Sequence, residues 1–149
     1  MTFRQLTPLD LAKRSLRYVR ISVTDRCNFR CPYCRPEEGS ECFQPPTDHL
    51  TAEEIGRLTR VLKRIGIDTV RFTGGEPLLR RDLPEVIRAV RSIGGQNDLA
   101  LTTNAWFLER QAQVLADAGL ERINISLDTL NPETFKKLSG GAPIEPVIA

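Results

Sequence analysis

Four short segments of this chain alternate apolar and polar residues at period two, and an amphipathic or helix-initiating pattern follows each. In Tyr18–Thr24, Val19, Ile21 and Val23 oppose Arg20, Ser22 and Thr24. In Thr69–Thr73, Val70 and Phe72 oppose Arg71 and Thr73. Leu99 and Leu101 oppose Thr102 and Asn104 in Leu99–Asn104. Ile123, Ile125 and Leu127 oppose Asn124, Ser126 and Asp128 in Arg122–Asp128. Strands separated by helices pair in parallel through right-handed crossovers. A parallel sheet with helices on both faces reads as continuous apolar runs, and these strands do not. One face therefore lies under helices, and the other is polar, as in the wall of an open barrel. The expected fold class is α/β, a partial (β/α) barrel of about four βα units with parallel strands. Its functional end lies where the strands run out into loops.

Local signals set the helix boundaries. Thr51 and Glu54 form a capping box ahead of Ile55, Leu58, Val61, Leu62 and Ile65, and Gly66 ends that helix. Asp82 caps a second helix carrying Val86, Ile87 and Val90, a third runs through Val114 and Leu115 to Gly119, and Asn131-Pro132 starts a fourth. Four strands do not close a barrel, and the fourth leaves an edge that needs a partner. Another apolar segment begins in "APIEPVIA". Residues 1–149 are thus expected to be the N-terminal part of a longer chain.

The 149 residues are 40% hydrophobic and 27% charged, with a formal net charge of +2. That balance suits a globular domain and supplies no basic field for nucleic acid or an anionic membrane. No segment approaches the roughly 18 apolar residues of a membrane span, and "MTFRQLTPLDLAKRSLR" lacks a secretory apolar stretch. The expected location is cytoplasmic, where clustered thiols serve metals or catalysis rather than disulfides.

Cys27, Cys31 and Cys34 fall within eight positions, directly after the first strand. Thiolates suit zinc or an iron–sulfur cluster. A closed zinc site needs a fourth ligand, for which Cys42 or His49, the only histidine, is available. Inert core cysteines would form a stripe, which this Pro-containing loop does not. Three thiolates on a cluster leave one iron open to an outside ligand.

Cys27-Asn-Phe-Arg-Cys31-Pro-Tyr-Cys34 resembles the CxxxCxxC motif of the radical S-adenosylmethionine (SAM) superfamily, and "TGGEPLLRRDL" resembles its glycine-rich SAM-binding segment. "RISVTDRCNFRC", "RFTGGEPLLRRDLPE", "LTTN" and "AGLERINISLDTL" are similar to the GTP 3′,8-cyclases of molybdenum cofactor (molybdopterin) biosynthesis, from about Leu16 to Gly140. The resemblance covers only the N-terminal half of such an enzyme. It implies a radical SAM barrel and a lyase. A [4Fe–4S] cluster on Cys27, Cys31 and Cys34 would bind SAM and cleave it reductively to a 5′-deoxyadenosyl radical. That radical would take the 3′ hydrogen of the GTP ribose, and the carbon radical would attack C8 of guanine.

The same resemblance sets Tyr33 against the SAM adenine and places Gly74, Gly75, Glu76 and Ser126 at the SAM site. Gly74 and Gly75 would let backbone approach the methionine moiety, while Glu76 and Pro77 would chiefly fix the turn. Arg20 and Arg71, on the polar face, are the candidates for an anionic triphosphate, with internal ion pairs to Glu76 or Asp128 as their alternative. Thr102 matches a GTP-contacting position. Arg80, Arg81, Arg88 and Arg91 read as a solvated helix start and face. Arg35, Ala105 and the extra thiol Cys42 depart from the family pattern, and the half that carries the family's second, guanine-binding cluster is absent. An electron donor is implied, and a homodimer or a separate C-terminal half is an open partner. Other radical SAM chemistry on a peptide or small molecule, and a non-catalytic zinc module, are the competing readings.

Overall fold

A computed structural model of the protein describes residues 8–34, 45, 48–95 and 98–149; Arg35 and Cys42 lie outside the described residues. The elements are β1 (Tyr18–Ser22), α1 (Ala52–Arg64), β2 (Thr69–Thr73), α2 (Leu83–Arg91), β3 (Asp98–Thr103), α3 (Leu108–Asp117), β4 (Arg122–Ile125), α4 (Pro132–Leu138) and α5 (Glu145–Ile148). The strands form one parallel sheet in the order β1-β2-β3-β4. This is the α/β architecture that the alternation predicts.

The period-two pattern separates the two faces. Ile21, Val23, Val70, Phe72, Leu99 and Leu101 join Ile55 of α1, Val86, Ile87 and Val90 of α2 and Leu115 of α3 in one buried cluster. On the opposite face the register aligns Arg20, Arg71, Ala100 and Arg122 in one row. The next row holds Ser22, Thr73, Thr102 and Asn124. Residues in a row point to the same side, so the polar groups form a surface rather than scattered exceptions.

The Thr51–Glu54 capping box is present in both directions, with Glu54 N donating to Thr51 Oγ1 at 3.2 Å and Thr51 N donating to Glu54 Oε2 at 2.8 Å. Asn131 caps α4 by accepting from Thr134 N at 2.9 Å. Four sequence expectations shift. The buried stripe of α1 is Ile55, Gly56 and Thr59, while Leu58 and Val61 are exposed. Gly56 turns toward Ala89 of α2, where a Cβ would lie 3.5 Å from the Ala89 Cβ, and this close approach rotates the stripe. β4 ends at Ile125, three residues short of the predicted strand.

Asp82 occupies the N-cap of α2 without a capping bond. Its carboxylate instead accepts from Arg80 Nε at 2.9 Å and Nη2 at 3.0 Å. Arg80 is not the solvated helix-start residue that the sequence suggests. Its side chain is 9% exposed, and it donates to the Val23 carbonyl at 3.0 Å and the Leu50 carbonyl at 2.8 Å. One guanidinium thereby ties the exit of β1, the approach to α1 and the start of α2. Removing it loses its bonds to the two carbonyls and to Asp82, at about 0.5–1.5 kcal/mol each. Arg80→Ala is expected to lower stability by about 3 kcal/mol in urea denaturation, and Arg80→Lys to recover little, because an ammonium lacks the fork. A loss below about 1 kcal/mol for Arg80→Ala would contradict the role of this tie.

Candidate active site at the mouth of the sheet

The loops leaving β1 and β2 are laid backbone to backbone. Beyond the strand ends the ladder continues, with Val23 N donating to Thr73 O at 2.9 Å, Gly75 N to Thr24 O at 2.8 Å and Glu76 N to Arg26 O at 2.7 Å. A Cβ on Gly74 would lie 2.3 Å from the Thr24 carbonyl oxygen, and one on Gly75 would lie 2.2 Å from that of Arg26. Both positions therefore need glycine on the protein side. Their Cβ directions are filled by the loop that leads into the cysteines, and another side of the same two residues lines the cleft described below.

Glu76 fixes this pair of loops to β3. Buried at 1% exposure, its Oε1 accepts from Leu78 N at 2.9 Å and Thr103 Oγ1 at 2.7 Å, and its Oε2 accepts from Asn104 N at 2.7 Å. Burial pushes the carboxyl above its ordinary value, and the three donors oppose that rise. Asn104 in turn donates from Nδ2 to Asn28 Oδ1 at 2.9 Å, inside the cysteine loop. Ala105 follows in a left-handed conformation, φ 63°. Glycine adopts that geometry without penalty, which accounts physically for the Asn-Gly pattern from which this chain departs.

A second, smaller apolar cluster supports the cysteine loop from the far side. Phe29, between Cys27 and Cys31, meets Trp106 edge-on at 5.6 Å and Phe135 of α4 at 5.8 Å. Ile144 completes the buried set, with Cys27, Cys31 and Leu127 packed against it. Arg30 N donates to Ser139 O at 2.9 Å, so the end of α4 holds the loop as well. Sequence reading missed this cluster, because Phe29, Trp106 and Phe135 belong to no common periodic stripe.

These supports surround a cleft of about 220 Å³. Its walls carry Cys27, Cys31, Cys34, Tyr33, Gly74, Gly75, Glu76, Thr102 and Ser126, so four segments that are distant in sequence meet at one cleft. Cys27 and Cys31 are half-buried and Cys34 is exposed. Burial is the main cause pushing the Cys31 thiol up. Tyr33 donates to Asp128 Oδ2 at 2.5 Å, and that bond is the first cause of its strongly raised pKa. Thr102 Oγ1 is buried with no hydrogen-bond partner among the described residues.

Arg20 and Arg71 lie outside these walls, deeper along the polar face. Arg20 is exposed. The Arg71 guanidinium stands 5.5 Å from the centre of the Tyr18 ring, with its Nε buried and unpartnered. Neither arginine forms an ion pair among the described residues, so the Glu76 and Asp128 alternatives are not realised. His49, a possible fourth zinc ligand, pairs with Asp25 at 3.3 Å. Among the described residues no three His, Cys, Asp or Glu side chains converge on a single-ion site.

Three thiols around a cleft, beside a backbone cradle at the C-terminal mouth of a parallel sheet, give this α/β domain one mouth at which soft donors and a ligand-sized space meet. The family model of the radical SAM superfamily matches residues 21–149. The chain belongs to that superfamily, whose cofactors are a [4Fe–4S] cluster and SAM. Among curated proteins it is similar to a GTP 3′,8-cyclase of Limosilactobacillus fermentum, 47% identical over 140 residues, which span 93% of this chain and 42% of that one. The GTP 3′,8-cyclase of Acidothermus cellulolyticus is 49% identical over 144 residues, 94% of this chain and 40% of that one. The chain thus spans about two fifths of the length of these relatives. The crystal structure of BtrN in complex with AdoMet and 2-DOIA is similar in fold, with a TM-score of 0.60 at 16% identity over 91% of this chain and 55% of that one.

The Glu76 geometry sets a pH test. A carboxyl with a raised folded-state pKa makes the native state bind more protons than the unfolded state. Its contribution is fully present below about 4.5, the ordinary value, and is lost as pH rises through the raised folded value. Glu76→Gln places an amide N–H2 against a backbone or hydroxyl donor, at about 2 kcal/mol, and removes that titration. The stability gap between wild type and Glu76→Gln, from denaturation at several pH values, is expected to narrow as pH rises from about 4.5. A gap that widens would mean that the three donors outweigh burial.

Proposed function

We propose that this chain is the N-terminal, SAM-cleaving part of a GTP 3′,8-cyclase of molybdenum cofactor biosynthesis, with Cys27, Cys31 and Cys34 holding a [4Fe–4S] cluster. The observation that carries this reading is the meeting of the three thiols, the Gly74–Glu76 backbone and Ser126 on one cleft, in a chain 47% identical to a protein named for that reaction. The donor set fits the cofactor. Three soft thiols on the wall of one cleft are the donors that an iron–sulfur cluster takes.

When bound, the cluster supplies the electron that cleaves SAM to a 5′-deoxyadenosyl radical. The chain's own residues bind, orient and exclude. Gly74, Gly75 and Ser126 offer the SAM cradle, and Tyr33 flanks it. Phe29, Phe135 and Leu138 form the apolar wall that keeps water from a reactive intermediate. Thr102 Oγ1, buried without a partner, is free to take a substrate hydrogen bond. Arg20 and Arg71, in register on β1 and β2 and in no ion pair among the described residues, would meet the triphosphate. The remaining length of the relatives completes the substrate site, and an electron donor is required. Thiol ligands that must stay reduced support a reducing, cytoplasmic setting for this reading.

Anaerobic reconstitution, followed by dithionite and SAM, is expected to give a brown protein that forms 5′-deoxyadenosine, with Cys31→Ala forming none. No cyclic GTP product is expected from the 149-residue chain alone. A colourless zinc protein that cleaves no SAM would overturn the cluster assignment. For the substrate, Arg71→Ala is expected to weaken GTP binding by tenfold or more in calorimetry, as befits a charge-assisted hydrogen bond of about 1.5–3 kcal/mol. Unchanged affinity would remove Arg71 from the site.

A further inference from the structure

We infer that Asp128 is a positioning residue that holds the Tyr33 ring at the wall of the cofactor cleft, through a hydrogen bond joining the loop after β4 to the last turn of the cysteine loop. The inference deepens the cofactor reading above and rests on it. Tyr33 lies between Cys31 and Cys34 in a tight turn closed by Cys34 N donating to Cys31 O at 2.9 Å. Its ring is 67% exposed and belongs to neither apolar cluster. Packing therefore does not fix it. The hydroxyl does, beside the Cys31 thiol and at 2.5 Å from Asp128 Oδ2, across 95 residues of sequence.

Asp128 is well placed to act as a fixed post. Ser126 N donates to Thr103 O at 2.8 Å and so extends the sheet by one rung. Leu127 then packs into the aromatic cluster beneath Phe29. Asp128, the next residue, lines the cleft together with Ser126, Tyr33 and the three cysteines. The post is thus anchored to the same small core that supports the cysteine loop. Tyrosine carries one hydroxyl donor, and a carboxylate is the acceptor that makes the shorter, stronger bond with it. An exposed ring held at one end in this way stands ready to flank a flat heteroaromatic group, which fits the adenine of SAM.

The test is a double-mutant cycle on SAM binding, measured by equilibrium dialysis with labelled SAM on the reconstituted chain, with iron and sulfide content and thermal midpoint recorded for every variant. Asp128→Ala and Tyr33→Phe are each expected to weaken SAM binding about tenfold at unchanged iron content. The double variant should be no weaker than either single one. Asp128→Asn, which keeps an acceptor oxygen, should stay within about threefold of wild type. This rescue is the readout that a merely structural aspartate would not give. Wild-type affinity in Asp128→Ala, or multiplication of the two losses in the double variant, overturns the inference while leaving the cofactor reading intact. Failure of the wild-type reconstituted chain to hold SAM overturns both. If Asp128→Ala fails to fold, Tyr33→Phe and Asp128→Asn decide the matter: the first weak and the second near wild type supports the inference, and any other pattern refutes it.

Discussion

Everything at the mouth of the sheet depends on one close contact, the backbone of residues 74–76 lying against the backbone of residues 24–26. Three hydrogen bonds, from Val23, Gly75 and Glu76, extend the β1–β2 ladder past the strands. The two glycines are the condition for it, because a Cβ at either would sit inside 2.5 Å of a carbonyl oxygen. A backbone carbonyl cannot swing aside as a flexible side chain can. A methyl group here would push the whole approach to Cys27 away from the sheet. The approach to the cysteine loop over the strands is thus set by main chain, and the Phe29 cluster supports the loop itself from the far side. Main-chain ladders are what hold catalytic parts to within fractions of an ångström. Glu76 then transmits the same reference to β3 through Thr103 and Asn104.

Two apolar clusters divide the work of stabilising the protein. The larger one, under α1 to α3, buries one face of the sheet and sets the fold. The smaller one, with Phe29, Phe135 and Ile144 at its centre, lies under the cysteine loop. Its two edge-on aromatic pairs contribute about 0.5–1.5 kcal/mol each beyond their burial. A few kcal/mol is enough to keep a loop in one conformation and too little to carry a fold. Damage to the small cluster is therefore felt first at the thiols, while damage to the large one is felt as global unfolding.

The parts of this architecture that the sequence makes legible are those written in local periodicity and spacing. Val70, Phe72, Leu99 and Leu101 are fully buried as their alternation requires, and the Thr51–Glu54 box is formed as written. The three cysteines and the TGGEP segment meet because both follow parallel strands at the same end. Arg80 and Glu76 were harder to read. Each is a charged residue whose burial depends on partners tens of residues away: Val23 and Leu50 for one, Thr103 and Asn104 for the other. No local pattern announces such a partner. The shifted stripe of α1 has a similar origin, since Gly56 is chosen for the surface of α2 rather than for its own helix.

The polar face shows what the sheet gives up. Arg71 Nε and Thr102 Oγ1 are buried without partners among the described residues, and an unpaired buried donor or acceptor costs about 1–3 kcal/mol. Apolar residues at both positions would avoid that cost, as does Ala100, the fully buried register partner of Arg71. The arginine gains only a cation–π contact with Tyr18, about 0.5–1 kcal/mol at a half-exposed site, which does not offset its cost. A face that forgoes stability in adjacent rows, with a guanidinium and a hydroxyl on the same side, leaves polar groups that the anionic, hydroxyl-bearing ligand proposed above would satisfy.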